Sequence, residues 1–566
     1  MLATIILWAY ISFLGLVYGV ALSRFICGVS GRISRNELPF VMLIIIGLNV
    51  MAWLASILSF VFSMGWFSQT FIVCVALALF VLVRKDLFET LQVFLKEKNI
   101  LVWLMMVVGV LVALVYGVKS PSNPDTVLYH AQAIHWAEKY PVIPGLGNID
   151  ARLGASSNWF LINALFSFSF LTVQSFRAVP SLLFLLSFLY FLGGAKQILL
   201  KNIHVSDVAK VIFIPFMIYV GAGEISSPGT DLPVILLYWL AICVWLELIE
   251  KTDSTRLQLA LLVLSVSTIT FKMSGIPVLL FALWILYENW RKHNYQSLKV
   301  HIVIMAAIIV PWMIRAFILS GYWLYPEPMM SVIGPSVDWR IPLERVVSFK
   351  AGVYAWAISP GLRPDDIASL SKIEQYRRWF FELTQNQKVI VTVAISFPLL
   401  TLIFSLLLSK IRNVFEGYWV IFTISCLSLM FWLFTAPSIR FGYGYLLGSI
   451  AVIVAPLLHV ALKIFDRYQK LFALLVVTFL FIQQLVVITT AFKDGTRYMN
   501  LLVLPADYPQ VATTACDLGN TTIQCARNWR MCSYNSFPCA PVPVKNVEMR
   551  GDSFQDGFRP IVFDKP

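Results

Sequence analysis

The sequence predicts an all-α protein that crosses a membrane many times. Of its 566 residues, 59% are hydrophobic and only 13% are charged, and the mean hydropathy is +0.79. Soluble domains carry about 25% charged residues, so half of the usual solubilising charge is missing. The apolar residues also form long blocks, such as 101–118 and 303–319. Each block is about long enough to cross a hydrocarbon core of roughly 30 Å as a helix.

About fourteen such blocks follow one another along the chain. The predicted spans are 1–22, 40–62, 66–83, 99–118, 178–195, 209–223, 231–249, 257–271, 274–289, 299–319, 389–408, 416–434, 442–462 and 470–491. A further apolar stretch, 158–171, is expected to lie at the interface or to dip in and return. A span there would place Lys196 and Lys201 outside, against the usual distribution of basic residues.

Basic residues divide the loops between these spans into two groups. The short loops assigned to the outside hold only Lys272 and Arg440. The loops assigned to the inside hold Arg24, Arg32, Arg35, Arg84, Lys85, Lys96, Lys98, Lys196, Lys201, Lys251, Arg256, Arg291, Lys292, Lys410, Arg412, Lys463 and Arg467. Because cytoplasmic loops are enriched in Lys and Arg, both termini and the segments 119–177, 320–388 and 492–566 are predicted to lie outside. The net charge of +13 has the same explanation and indicates no nucleic-acid partner.

The C-terminal tail, 492–566, contains four of the eight cysteines: Cys516, Cys525, Cys532 and Cys539. Their spacing differs from the C-x-x-C pairs of a zinc site. A tail in an oxidising compartment favours two disulfides, for which four cysteines allow three connectivities. We therefore expect a small, loop-rich cap with little core of its own.

The segment after the fourth predicted span concentrates polar side chains. Asp125 precedes a predicted helix over 126–140, so it could simply cap that helix. The same segment also carries Tyr129, His130, His135, Glu138, Asp150 and Arg152, of which His135 and Glu138 are expected on the solvated face. A carboxylate with His, Tyr and Arg nearby could act as a general base or as a ligand of a divalent cation.

Two further charged residues fall at the outer ends of predicted spans. Asp231 follows the turn 224–230 and begins the seventh span, where a helix cap would equally explain it. Lys272 separates two short spans. Its amine either meets an anion or snorkels to the interface.

Two arginines are harder to explain by anchoring alone. Arg315 lies about one turn inside the outer end of the tenth span, where it needs an acidic partner, carbonyl groups or a phosphate. Arg440 and Tyr443 belong to the turn between the twelfth and thirteenth spans. A forked guanidinium suits a pair of phosphate oxygens, and a tight turn with an anchoring Arg and Tyr is the alternative.

These features together resemble the GT-C superfamily of polytopic membrane glycosyltransferases, which includes protein O-mannosyltransferases, aminoarabinose transferases and oligosaccharyltransferases. Asp125 matches the acidic residue at the start of their first outside loop, and Asp231 matches a second acidic residue. The stretch 311–326 resembles a segment of bacterial members, and the turn at Arg440 is similar to one that faces the lipid-phosphate donor. The resemblance covers roughly residues 99–465, and three spans precede the usual core.

The resemblance implies three regions: an N-terminal three-span extension (1–98), a GT-C-like transmembrane core (99–491) with outside loops 119–177 and 320–388, and the extracytoplasmic tail (492–566). It also implies an inverting glycosyltransferase with a polyprenyl-phosphate-linked sugar as donor and a glycan, lipid or protein as acceptor. Asp125 would be the catalytic base. The residues expected to bind substrate are Tyr129, His130, Arg152, Asp231, Lys272, Arg315, Arg440 and Tyr443. A divalent cation is possible, and a bacterial inner membrane is the expected location.

Two other functions compete with this hypothesis. An O-antigen polymerase or ligase also has many spans and essential arginines, but its chemistry lies in a later loop than the one that Asp125 begins. A transporter predicts charged residues near the bilayer midplane and repeated halves. The sequence shows neither pattern, so transport is the weaker hypothesis.

Overall fold

A computed structural model describes residues 1–29, 38–96, 99–172, 174–200, 203–250, 255–407, 418–465, 467, 469–527 and 531–561. Of these residues, 72% are helical, as expected for an all-α membrane protein. Among the described residues, eleven helices are long and apolar enough to cross a membrane. Of the basic residues used to orient the chain, Arg32, Arg35, Lys98, Lys201, Lys251, Lys410 and Arg412 lie outside the described residues.

The helices run in the order α1 Leu2–Val29, α2 Phe40–Leu58, α3 Trp66–Leu95, α4 Ile100–Gly117, α5 Ala131–Lys139, α6 Asn158–Leu165, α7 Ala178–Leu199, α8 Val205–Gly221, α9 Asp231–Glu250, α10 Thr255–Phe271, α11 Leu279–Arg291, α12 Tyr295–Ser320, α13 Leu343–Ile358, α14 Pro364–Ala368, α15 Lys372–Glu382, α16 Gln385–Leu407, α17 Trp419–Thr435, α18 Ile439–Ile464 and α19 Gln469–Lys493. The eleven candidate spans lie in α1–α4, α7, α9, α11, α12, α16, α18 and α19. A helix coincides with each of the fourteen predicted spans. However, α8, α10 and α17 have only 17 residues each and are not among the eleven.

The stretch 158–171 does not form a membrane-crossing helix. It contains α6, whose 8 residues reach only about 12 Å at 1.5 Å per residue. All of these residues are buried, and the helix packs between α2 and α5. Its apolar character therefore reflects burial inside the protein.

The first two helices make one of the closest helix–helix contacts in the described bundle. A methyl group added at Gly19 would lie 1.9 Å from the carbonyl oxygen of Leu43, and one at Gly47 would lie 1.7 Å from that of Gly15. Small residues allow membrane helices to approach in this way. Helices α1 and α2 also contact α7 and α10, so they pack directly on the rest of the bundle.

The tail departs from the all-α class because it contains five short strands. Strands β1 Thr513–Leu518, β2 Thr521–Ala526 and β3 Cys539–Ala540 form one sheet, and β4 Val547–Met549 pairs with β5 Phe558–Pro560. The strand pair β1–β2 is antiparallel, and β3 runs parallel to β2. Two disulfides join Cys516 to Cys525 and Cys532 to Cys539, which selects one of the three possible connectivities.

The tail shares its hydrophobic core with the segment 119–177. Leu518, Ile523 and Phe558 of the tail pack with Trp136 and Leu146 of that segment. The segment 320–388 lies beside them, since the Asn148 side-chain amide donates to the carbonyl oxygen of Trp339 (2.9 Å). All three segments therefore lie at one end of the helix bundle, which we call the loop end.

Candidate functional site

Four charged side chains from distant parts of the sequence meet at the loop end. The Arg440 guanidinium donates through Nη2 to Asp125 Oδ2, and its Nε lies 3.0 Å from Asp231 Oδ2. The other oxygen of Asp231 accepts from the Lys272 amine. The result is a chain of alternating charges, Asp125–Arg440–Asp231–Lys272, which we call the ion-pair network.

Each member of the network stands at the end of a helical element. Asp125 precedes a π-helical turn, Thr126–His130, that leads directly into α5, so the helix predicted over 126–140 is present with a wider first turn. Asp231 is the first residue of α9, Lys272 follows α10, and Arg440 is the second residue of α18. Because α9 packs against both α10 and α18, these helix ends come together.

Asp125 does not cap the helix that it precedes. Its carboxylate makes no capping hydrogen bond to the backbone of the following turn. Burial alone would raise the pKa of Asp125, but the attraction of the Arg440 guanidinium, with a smaller contribution from the Lys272 amine, outweighs it. The pKa therefore lies below its usual value and the carboxylate is ionised at neutral pH.

Glu224 is a third carboxylate at this site and was not among the predicted site residues. Both of its oxygens accept from the side-chain amide of Asn123, at 3.1 and 2.8 Å. Asn123 also accepts from the backbone N–H of Asp125 (2.9 Å), so it joins the turn at Glu224 to the start of the π-helical turn. Burial, followed by repulsion from Asp231, raises the pKa of Glu224 to about 7. The only sequence signal was its position in the turn that ends at Asp231.

Tyr129 and His130 lie next to Asp125 as neutral groups. His130 is buried, and burial lowers its pKa to about 4 despite the opposing attraction of Asp125. Burial likewise raises the pKa of Tyr129. The rings of both residues contact Phe160, with centroids 6.2 and 5.3 Å away respectively.

The remaining predicted site residues lie apart from the network. Arg152 forms a two-pronged pair with Asp150, with N–O distances of 3.0 and 2.9 Å, and its guanidinium stands 5.3 Å from the Tyr129 ring. Tyr443 follows Arg440 on α18, and its ring meets that of Tyr219. Arg315 lies in a separate pocket between α12 and the segment 133–160. Of eight predicted substrate-binding residues, Asp231, Lys272 and Arg440 form the network with Asp125, and Tyr129 and His130 adjoin it.

Aromatic rings cover the cations of the network. The Arg440 guanidinium lies 5.3 Å from the ring of Phe441 and 5.4 Å from that of Trp356, which belongs to α13. The Lys272 amine lies 3.8 Å from the Phe441 ring. The segment 320–388 therefore contributes to the site through Trp356, which was not among the predicted site residues.

The tail holds the segment that carries Asp125. The backbone N–H groups of Cys532 and Ser533 both donate to the carbonyl oxygen of Val127 (2.8 Å each). Gln132 donates to the carbonyl oxygens of Ser533 and Ser536 (2.7 Å each) and accepts from the N–H of Cys539 (3.1 Å). The loop closed by the Cys532–Cys539 disulfide is thus hydrogen-bonded to the π-helical turn and to α5.

The expectation that His135 and Glu138 lie on a solvated face is wrong. The His135 ring stacks on Tyr534 and Phe537, with centroids 4.2 and 4.0 Å away. Glu138 is only 6% exposed and accepts hydrogen bonds from Ser175 and Tyr534. Both residues face the tail, which a pattern of local periodicity does not reveal.

The network is poorly suited to a divalent cation. Within the described residues, no group of three or more His, Cys, Asp and Glu side chains is arranged to hold a metal ion. The oxygens of Asp125 and Asp231 that face each other are bridged by the Arg440 guanidinium. Arg440 lies between two carboxylates and Lys272 contacts the second of them, so both cations already have anionic partners within the protein.

The fold and the composition of its helices define a multi-pass membrane protein. The chain belongs to the family described as "Domain of unknown function (DUF8201)", which it matches over residues 1–447. That range contains all four members of the ion-pair network and ends before the tail begins. Comparison with curated proteins and with solved structures gave no match.

Proposed function

We propose that this protein is a membrane glycosyltransferase that takes a sugar from a polyprenyl-phosphate-linked donor. The observation that supports the proposal is the ion-pair network, in which two cations and an ionised carboxylate lie together at the loop end. Such a site could supply both the cations that bind a phosphate and the base that accepts a proton. The cations can hold the phosphate that leaves, and the carboxylate can accept the proton of the acceptor.

In this mechanism the donor phosphate binds Arg440, with Lys272 as a second cation. An acceptor hydroxyl or amine attacks the anomeric carbon while Asp125 removes its proton, and the bond between that carbon and the phosphate oxygen breaks. The lipid phosphate leaves with one additional negative charge, which Arg440 and Lys272 stabilise. Attack on the face opposite to the phosphate inverts the anomeric configuration.

Binding of the donor would also prepare Asp125 for proton transfer. A carboxylate whose pKa is held low by Arg440 is a weak base. A phosphate that competes for the guanidinium removes part of that attraction, so the pKa of Asp125 rises toward the values that suit general bases at neutral pH. Asp231 would keep both cations in place during the exchange, since it contacts each of them.

The proposal includes a membrane arrangement. The helices α8, α10 and α17 would cross the bilayer together with the eleven longer ones, which gives fourteen spans. The loop end would face the extracytoplasmic side of a bacterial inner membrane, as the distribution of basic residues predicts. The acceptor would then be an envelope glycan, lipid or protein.

The proposal can be tested in a strain that lacks the protein, complemented with wild type, Asp125→Asn or Asp338→Asn. Asp338 is an exposed carboxylate at the loop end that pairs with Arg550, so its variant is a matched control. We expect Asp125→Asn, but not Asp338→Asn, to accumulate lipid-linked sugar and to lose one sugar mass increment on an envelope molecule. Full function of a normally folded Asp125→Asn protein would contradict the proposal.

The same experiment separates the alternatives. Loss of whole glycan chains or of chain length, instead of a single increment, would favour a polymerase or ligase. Movement of an unaltered substrate across the membrane would favour a transporter. The buried pair Lys210–Glu247 lies toward the opposite end of the bundle from the ion-pair network, because Glu247 is three residues from the end of α9, the helix that Asp231 begins.

A further inference from the structure

Helix α15 presents an outward side that combines two cations with exposed apolar side chains. Ile373, Arg377 and Phe381 follow one another at intervals of four residues, so they lie on one side of the helix. Ile373 is 81% exposed and Phe381 is 67% exposed. The Arg377 guanidinium and the Lys388 amine, just beyond the helix, each lie 5.9 Å from the Phe381 ring. We call these four residues the outer face of α15.

The inner side of α15 is held against the bundle where candidate spans begin. Trp379 is buried and donates through Nε1 to the carbonyl oxygen of Pro437 (2.7 Å), two residues before α18 begins. The Tyr376 hydroxyl donates to the carbonyl oxygen of Leu433 (3.0 Å) near the end of α17. Helix α16 begins three residues after α15 ends, and α16 and α18 are both candidate spans. The outer face therefore lies level with the ends of helices that are apolar enough to cross a membrane.

The cations of the outer face differ from the neighbouring arginine. Arg378, on another side of α15, pairs with Glu382 (2.9 Å). Within the described parts of the chain, neither Arg377 nor Lys388 forms an ion pair with a carboxylate. The protein thus supplies the positive charge of the outer face without an anion to balance it.

This combination of side chains suits the headgroup region of a bilayer. Exposed aromatic and aliphatic side chains at that depth enter the boundary of the acyl chains, while Lys and Arg contact the phosphates. A zwitterionic lipid has no net charge for the two cations to attract, whereas an anionic phospholipid does. The charge of the outer face therefore favours an anionic phospholipid.

We propose that the outer face of α15 binds the headgroup of an anionic phospholipid at the loop end of the bundle. Arg377 and Lys388 would contact the phosphate oxygens, and Phe381 would contact the first carbons of the acyl chains. The proposal requires that α16 and α18 cross the bilayer. It does not depend on the proposed transfer of a sugar, because the outer face contains no residue of the ion-pair network.

The proposal can be tested with purified full-length protein in a neutral detergent. The probes are dioleoyl phosphatidylglycerol, which is anionic, and dioleoyl phosphatidylcholine, which is zwitterionic. Native mass spectrometry measures the affinity of each lipid, and amide exchange in residues 372–382 locates the binding. The variants are the double variant Arg377→Gln/Lys388→Gln, Phe381→Ser, and Arg378→Gln as a matched control that removes a cation from another side of the same helix.

We expect wild type and Arg378→Gln to bind the phosphatidylglycerol more tightly than the phosphatidylcholine, with slower amide exchange in residues 372–382. A cation near an anionic lipid surface contributes about fivefold in affinity, so the double variant should bind the phosphatidylglycerol on the order of twentyfold more weakly. Its affinity for the phosphatidylcholine should stay near that of wild type. Phe381→Ser should weaken the binding of both lipids, because it removes an apolar contact that they share.

Three results would overturn the proposal. The first is equal affinity of wild type and the double variant for the phosphatidylglycerol. The second is an equal loss of affinity in Arg378→Gln and the double variant, which would indicate a general effect of charge. The third is a dimer that wild type forms and Phe381→Ser does not, which would show that a second copy of the chain covers the outer face.

Discussion

Replacement of Glu224 by glutamine should stabilise the protein at alkaline pH. The folded protein raises the pKa of Glu224 from 4.5 to about 7 through burial and the repulsion of Asp231. The folded state thus binds a proton that the unfolded state has already released between these two pH values. Stability consequently falls as the pH rises from about 4.5 to about 7, and the loss persists above that range.

The magnitude follows from the size of the pKa change. At 1.36 kcal/mol for each pH unit, the raised pKa of Glu224 corresponds to a penalty on the order of 3 kcal/mol at pH 8. Glutamine has the shape of the protonated acid and carries no such penalty. It keeps a carbonyl oxygen that can accept from the Asn123 amide, so the hydrogen bond between the two residues is preserved.

The assay is thermal unfolding of the purified protein between pH 4.5 and pH 8. We expect Glu224→Gln to melt at the same temperature as wild type near pH 4.5 and at a higher temperature at pH 8. Glu344→Gln, at an exposed position at the start of α13, is the control and should follow wild type throughout. A difference between Glu224→Gln and wild type that is the same at pH 5 and pH 8 would refute the reasoning.

Two further predictions concern the site and the tail. Arg440→Lys should lower the rate of the proposed sugar transfer on the order of a hundredfold, because a single amine cannot contact Asp125 and Asp231 as the guanidinium does. Lys272→Arg should lower that rate less. Equal accumulation of lipid-linked sugar in the two variants would contradict this prediction. Removal of the Cys532–Cys539 disulfide should speed amide exchange in residues 127–139 by tenfold or more, since closing a short loop contributes about 2 kcal/mol. Removal of the Cys516–Cys525 disulfide is the control and should leave that exchange unchanged.

The sequence predicted the helices well because their signal is local. An apolar block of suitable length is visible without knowledge of its neighbours, and each of the fourteen predicted blocks coincides with a helix. The same criterion could not distinguish a block that crosses a membrane from one buried inside the protein. The stretch 158–171 is an example, since α6 is apolar through its contacts with α2 and α5.

The tail shows a second limit of local patterns. The cysteine count predicted two disulfides, but the pairing depends on which strands are neighbours. His135 and Glu138 were expected in solvent because their own segment is polar. Glu138 is buried against Tyr534, and the His135 ring stacks on Tyr534 and Phe537, which lie about 400 residues further along the chain.

The three cations at the loop end explain why only part of the site was predictable. Lys272, Arg315 and Arg440 look alike in the sequence, since each stands where a span meets the outer segments. Whether each of them has an acidic partner depends on helix packing. Because α9 contacts α10 and α18, Asp231 at the start of α9 contacts both Lys272 and Arg440. Helix α12 packs instead against α2, α10 and α11 and against the short 3-10 turns within 146–154, which are apolar around Arg315. Local pattern therefore identifies residues capable of binding an anion, and the neighbours of each helix decide whether the protein itself supplies that anion.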